Sequence, residues 1–160
     1  MTRRSTLVSG WGAVALLAAT VMAAAGAPVD FSGVWKLDLA KSDFAGQAKP
    51  ESKVQTVVQR DDELTLTIEE VQAGKPVKGM SRYKLDGTEV TNDVMDNRLK
   101  SMVTWDGETM VMRTRGAFGG ADILLVDRWT LSEGGKILTM KRHFEGRGLV
   151  SDQTLVYARQ

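Results

Sequence analysis

The chain has 160 residues, 21 Lys and Arg against 20 Asp and Glu, a formal net charge of +1 and no cysteine. That length fits one domain with a real core and is short for two. The charge balance excludes a protein held by electrostatics to nucleic acid or to an anionic membrane, and the missing cysteine excludes disulfides and an N-terminal cysteine lipid anchor.

Arg3 and Arg4 precede a mostly apolar run, Leu7 to Ala24, and then the small residues Ala23-Ala24-Ala25. A charged start, an apolar stretch and a small-residue site describe a secretory signal peptide over residues 1–25, leaving one mature domain at 26–160. The expected location is therefore periplasmic or extracellular. An uncleaved N-terminal membrane anchor is the alternative, but the run is rich in Ala and Gly rather than Leu and Ile. The arginine pair leaves general secretory and twin-arginine export both open. Without residues 1–25 the basic count falls to 19 against 20 acids, a net charge of −1.

From Phe31 onward, segments of about eight residues rich in Val, Thr, Leu, Met and Trp alternate with turn dipeptides, which is an all-β pattern. Only Ala40 to Ser52, with Gly46 and Pro50, reads as a long irregular connection. The turns set expected registers. A three-residue loop around Asp61 and Asp62 places Val54, Thr56 and Val58 opposite Ile68, Leu66 and Leu64. Asp86-Gly87 pairs Tyr83 with Val90 and Lys84 with Glu89. Asp106-Gly107 pairs Val103 with Met110 and Ser101 with Met112. A four-residue tip at Ser132 to Gly135 pairs Trp129 with Leu138, Asp127 with Met140 and Leu125 with Arg142. A turn on Gly146-Arg147 pairs Phe144 with Leu149 and Arg142 with Ser151. Consecutive hairpins with one apolar face each are most economically an antiparallel up-and-down meander of about 8–10 strands closed into a barrel, since closure removes exposed edges. An open sheet or a two-layer sandwich is the alternative.

On this meander, Phe31-Ser32-Gly33-Val34-Trp35 resembles the G-x-W signature that opens the first strand of lipocalins and their calycin relatives. The resemblance implies a lipocalin-like barrel with Trp35 plugging its closed end after Gly33, and a basic residue from a late strand, here Arg159, stacked on the indole. The same start, with Lys41-Ser42-Asp43-Phe44 after it, is similar to small secreted bacterial proteins whose mature domain opens on F-S-G-x-W-K-L. The chain departs from lipocalins in lacking disulfides and their other sequence blocks, and avidin-type biotin residues have no counterparts.

The expected registers put Asp127 and Arg142 inside, diagonally adjacent on neighbouring strands. Arg142 would fix a ligand carboxylate or other anion with Asp127 orienting it, or the two form a buried structural ion pair. Tyr83, Ser101, Thr114, Ser151, Gln153 and Tyr157 point inward beside them, and a few polar groups in an apolar cavity are what a small-molecule site requires. Arg115 to Asp122, three glycines flanking Phe118, reads as an aromatic flap at the open end or as a flexible connection with one tucked phenylalanine. His143, the single histidine, alternates outward, so neither a metal site nor a histidine-dependent triad is supported. Asp61-Asp62-Glu63 is a turn, Glu69-Glu70 straddles both faces of a strand, and Gly134-Gly135-Lys136 lacks the strand-to-helix context of a phosphate loop. No catalytic signature and no cofactor motif stands out. The expectation is a non-enzymatic carrier or sensor for a small hydrophobic or amphipathic molecule. The alternative is an inhibitor-like interaction barrel with a packed interior, its protein partner unidentified.

Overall fold

The computed structural model describes residues 29–160; the signal peptide expected over residues 1–25 lies outside them. Ten strands follow one another: β1 Gly33–Leu37, β2 Ser52–Arg60, β3 Glu63–Gln72, β4 Lys75–Lys84, β5 Val90–Val94, β6 Asn97–Asp106, β7 Thr109–Phe118, β8 Ala121–Ser132, β9 Ile137–Gly146 and β10 Leu149–Arg159. All pairings are antiparallel, in the order β4-β3-β2-β1-β10-β9-β8-β7-β6-β5. There is no helix among the described residues. The sheet curls into a nearly closed barrel. Chain ends β1 and β10 are joined by a backbone ladder, whereas β4 and β5 approach each other without one.

The turns that build this meander explain where the expected registers shift. Glu133, Gly134 and Gly135 take positive φ, and the amides of Gly135 and Lys136 both donate to the Ser132 carbonyl. The loop is therefore Glu133 to Lys136, and Trp129 pairs with Met140, Leu125 with Phe144 and Asp127 with Arg142. Arg147 and Gly148, with φ of 55° and 72°, form the next tip, so Ser151 faces Phe144 and Gln153 faces Arg142. In the β6–β7 hairpin Gly107 occupies the first central position and Trp105 pairs with Met110. Each of these three registers is moved by two residues from the expected one, and a two-residue shift leaves every side chain on its expected face.

Three expectations are overturned. The β2–β3 loop holds two residues, Asp61 and Asp62, rather than three, so Gln55 pairs with Ile68 and Val57 with Leu66. That odd shift exchanges the faces of β2: Val54, Thr56 and Val58 point outward, and Lys53, Gln55 and Val57 point inward. The β4–β5 hairpin does not form. Asp86 accepts from the Thr88 amide and turns the chain, but Lys84 engages Asp62 and Glu63, and Glu89 engages Lys100 and Arg115. Arg115 to Asp122 is not a loop either: β7 runs through Phe118, β8 starts at Ala121, and the tip is Gly119-Gly120. The long connection after β1 does occur, pinned by an Asp43–Thr154 bridge and by Phe44, which is buried.

The apolar core fills one end of the barrel. Phe31 stacks on Trp105 at 6.2 Å and meets Trp129 edge-on at 5.9 Å, and Trp35, Val57, Leu64, Val103, Met110 and Leu138 are buried around them. Trp35 donates its indole N–H to the Phe31 carbonyl at 2.9 Å. The Arg159 guanidinium lies over its ring, 4.2 Å from the centroid, donating to the carbonyls of Ser32 and Gly135, each at 2.7 Å. Gly33 makes room for it: with φ of 145°, a Cβ there would overlap Arg159 Nη1. Cation–π contact and two backbone anchors thus tie the first strand to the last.

Candidate functional site

The other half of the barrel interior sets polar side chains into an apolar wall. Strand alternation brings Lys53 and Gln55 from β2, Ser81 and Tyr83 from β4, Asn92 from β5, Ser101 from β6, Thr114 from β7, Asp127 and Trp129 from β8, Arg142 from β9 and Tyr157 from β10 around one cavity of about 120 Å3. Leu66, Ile68, Val94, Leu99, Met112, Leu125 and Met140 complete its wall.

Two ion pairs organise the wall. Arg142 sits directly across from Asp127 and grips it with both arms of its fork, Nε to Oδ1 and Nη2 to Oδ2, each at 2.8 Å. Asp127 is buried. Burial opposes the Arg142 charge, but the attraction and hydrogen bonds of Asp127 outweigh it, so its pKa is raised and the guanidinium stays protonated. Lys53 is opposite Glu70 and meets it at 2.9 Å. Its pKa is lowered, by burial first and by the Arg142 charge second. Burial likewise pushes the Tyr83 and Tyr157 phenols up, so both remain neutral hydroxyls at ordinary pH.

Three further residues that line the cavity carry polar atoms without a hydrogen-bond partner among the described residues: the Gln55 amide at both oxygen and nitrogen, the Trp129 indole N–H and the Tyr157 hydroxyl. All three side chains are fully buried. By contrast Ser101 and Thr114 satisfy each other at 2.8 Å.

Of the residues singled out from the sequence, Arg142, Asp127, Tyr83, Ser101, Thr114 and Tyr157 meet at this cavity. Gln153 faces inward but donates to the Phe44 carbonyl at 3.2 Å and lies away from it. Phe118 ends β7 under the Arg147 guanidinium and is remote from the cavity, and Ser151 is buried elsewhere in the barrel. His143 points outward between Asp152 and Glu145, at 2.7 and 2.9 Å. Sequence reasoning missed Lys53, Gln55, Ser81 and Asn92 as cavity residues, and it placed Trp129 inward without assigning it to a site. For the first two the available signal was the two-residue count of Asp61-Asp62, which places both inside.

The cavity adjoins the β4–β5 gap. There the Asn92 side chain stands in for a missing backbone partner: its Oδ1 accepts from the Arg82 amide at 2.8 Å and its Nδ2 donates to the Arg82 carbonyl at 2.9 Å. Outside this seam runs an open groove of about 490 Å3 lined by Met80, Val90 and Thr91 together with the charged Glu63, Arg82, Lys84 and Asp93, and Tyr83 and Asn92 border both the groove and the inner cavity.

No family model and no curated protein matches the chain. Solved structures do. A secretory abundant heat soluble protein from Ramazzottius varieornatus aligns at 15% identity over 81% of this chain and 94% of its own, with a TM-score of 0.59. A mutant of the fluorescent protein UnaG aligns at 21% over 81% and 96%, TM-score 0.56. Fatty-acid-binding protein 1 of Echinococcus granulosus aligns at 14% over 81% and 96%, TM-score 0.55. Likeness at these identities is one of fold alone, an antiparallel β-barrel.

Proposed function

We propose that the protein is an exported carrier or sensor that binds a small amphipathic molecule inside its barrel. The observation that carries this reading is the cluster of buried, unmatched polar groups around a cavity in one half of an otherwise packed barrel. A structural core would be filled with apolar side chains; a binding site presents a few oriented polar groups within an apolar wall. The volume shapes the reading further. Pockets that enclose drug-sized molecules measure roughly 300 Å3 or more, so the 120 Å3 cavity takes the polar end of a ligand, and an apolar tail leaves through the seam along Met80 and Val90, the charged residues of the groove remaining in water. That one similar fold is a fatty-acid-binding protein supports the apolar-tail assignment, and the basic, apolar and small-residue start of the chain supports export.

Titration with an uncharged environment-sensitive amphiphile, N-phenyl-1-naphthylamine, tests the reading. Saturable binding is expected, and it should be lost in Ser81→Phe, which fills the cavity from edge strand β4 with the fold kept, as circular dichroism will show. Wild-type protein without saturable binding would favour the second reading, an interaction barrel with a packed interior. For that, the exposed Val34, Val58 and Met80 on the outer face of β1, β2 and β4 are the supporting observation.

A further inference from the structure

We infer that the polar end of the ligand is an uncharged group that both donates and accepts hydrogen bonds, a primary amide or a hydroxyl, rather than a carboxylate or an ammonium. This rests on the reading of the cavity as a ligand site and names its chemistry.

The charges inside the barrel are already matched. Arg142 is held by Asp127 through two 2.8 Å hydrogen bonds, and Lys53 by Glu70 at 2.9 Å. A ligand carboxylate entering beside Arg142 would also enter beside the buried Asp127 carboxylate, and an ammonium would meet Lys53 and Arg142. Either adds an uncompensated charge to a space that has none, and such a charge is strongly disfavoured where water is excluded. What the cavity lacks is hydrogen bonds. The Trp129 indole N–H can only donate, so the ligand must offer a lone pair; the Gln55 oxygen can only accept, so it must also offer an N–H or O–H. The Gln55 nitrogen is a further donor and the Tyr157 hydroxyl takes either role. A primary amide or an alcohol satisfies donor and acceptor together. A ketone or an ester supplies no hydrogen for Gln55, and an ionised carboxylate supplies none either while bringing charge.

Calorimetric titration of the exported chain with octanamide, octan-1-ol and octanoate at pH 7.5 compares the three end groups on one tail. Octanamide is expected to bind at least tenfold tighter than octanoate, with octan-1-ol between them. Gln55→Met keeps the length of the side chain while removing both unmatched atoms. It should lower octanamide affinity about tenfold and leave octanoate nearly unchanged, and Tyr157→Phe, which deletes one hydroxyl, should produce a smaller loss of the same sign. Octanoate binding as tightly as octanamide, or an amide preference that survives Gln55→Met in a folded protein, would overturn the inference. If N-phenyl-1-naphthylamine binds saturably while the amide preference fails, the end-group assignment alone is wrong. If neither the dye nor any octyl compound binds, the ligand-site reading falls and this assignment with it.

Discussion

The barrel is joined at two places where no hairpin connects neighbouring strands, and they are built in opposite ways. Between β1 and β10 the join is over-determined. Three backbone register pairs, the Trp35–Arg159 stack, the Arg159 bonds to Ser32 and Gly135, and the Asp43–Thr154 bridge all cross it. Between β4 and β5 the pairing rests on one side-chain amide, Asn92, bonded twice to the backbone of Arg82. The first join lies against the apolar core and the second against the polar cavity. Local opening free energies in a protein span from near zero to the global value; the seam, with no backbone ladder, belongs to the low end and is the route by which the proposed ligand would enter.

The largest effect should come from the over-built join. Trp35→Ala removes a fully buried indole and the platform of Arg159, and denaturant unfolding should show a loss of roughly 3–5 kcal/mol. A loss below about 1 kcal/mol would mean that Trp35 is not what closes the barrel. Next in size is Arg142→Met, which strands the buried Asp127 carboxylate; about 3 kcal/mol should be lost at neutral pH, with secondary structure retained by circular dichroism.

Asn92→Ala should separate the two joins. Its cost should be small, about 1 kcal/mol, because two partly exposed hydrogen bonds are replaced by water. Hydrogen exchange at Arg82 should accelerate many-fold while exchange along β1 and β10 stays as in the wild type, and acceleration spread evenly over the barrel would contradict the contrast. The smallest effect concerns pH and belongs to neither join. Hydrogen bonds to Glu145 first and Asp152 second raise the pKa of His143 above 6.5. Any stability it adds is therefore full below the unfolded-state value and disappears as pH rises through the raised one. An NMR titration of the imidazole reads the direction, and a value at or below 6.5 would show that the acidic pair does not act on it.

How much of this was legible beforehand follows from what each turn reveals. The meander and most inward faces survive errors of two residues, since side chains repeat every second position. Asp127, Arg142 and Tyr157 were placed inside for that reason, although their partners across the sheet were displaced. β2 was misread because Val54, Thr56 and Val58 form the more apolar alternation, while the inner face carries Lys53 and Gln55, residues that composition assigns to the surface. An apolar-inside rule fails where a strand supplies polar groups to a cavity. The β4–β5 gap was hidden for a different reason: Asp86-Gly87 is a sound turn signal, and Thr88 bonds to Asp86 as such a turn requires, yet a turn does not oblige the strands on either side to pair.

The measurement that bears most directly on the central claim is native mass spectrometry of the protein purified from its own host, followed by release and identification of any retained molecule. The account predicts a stoichiometric adduct, an amphipathic molecule with an uncharged amide or hydroxyl end, which is lost in Ser81→Phe. A wild-type protein that carries no adduct and also refuses every amphiphile offered to it would contradict the claim that the polar half of the barrel is a binding site.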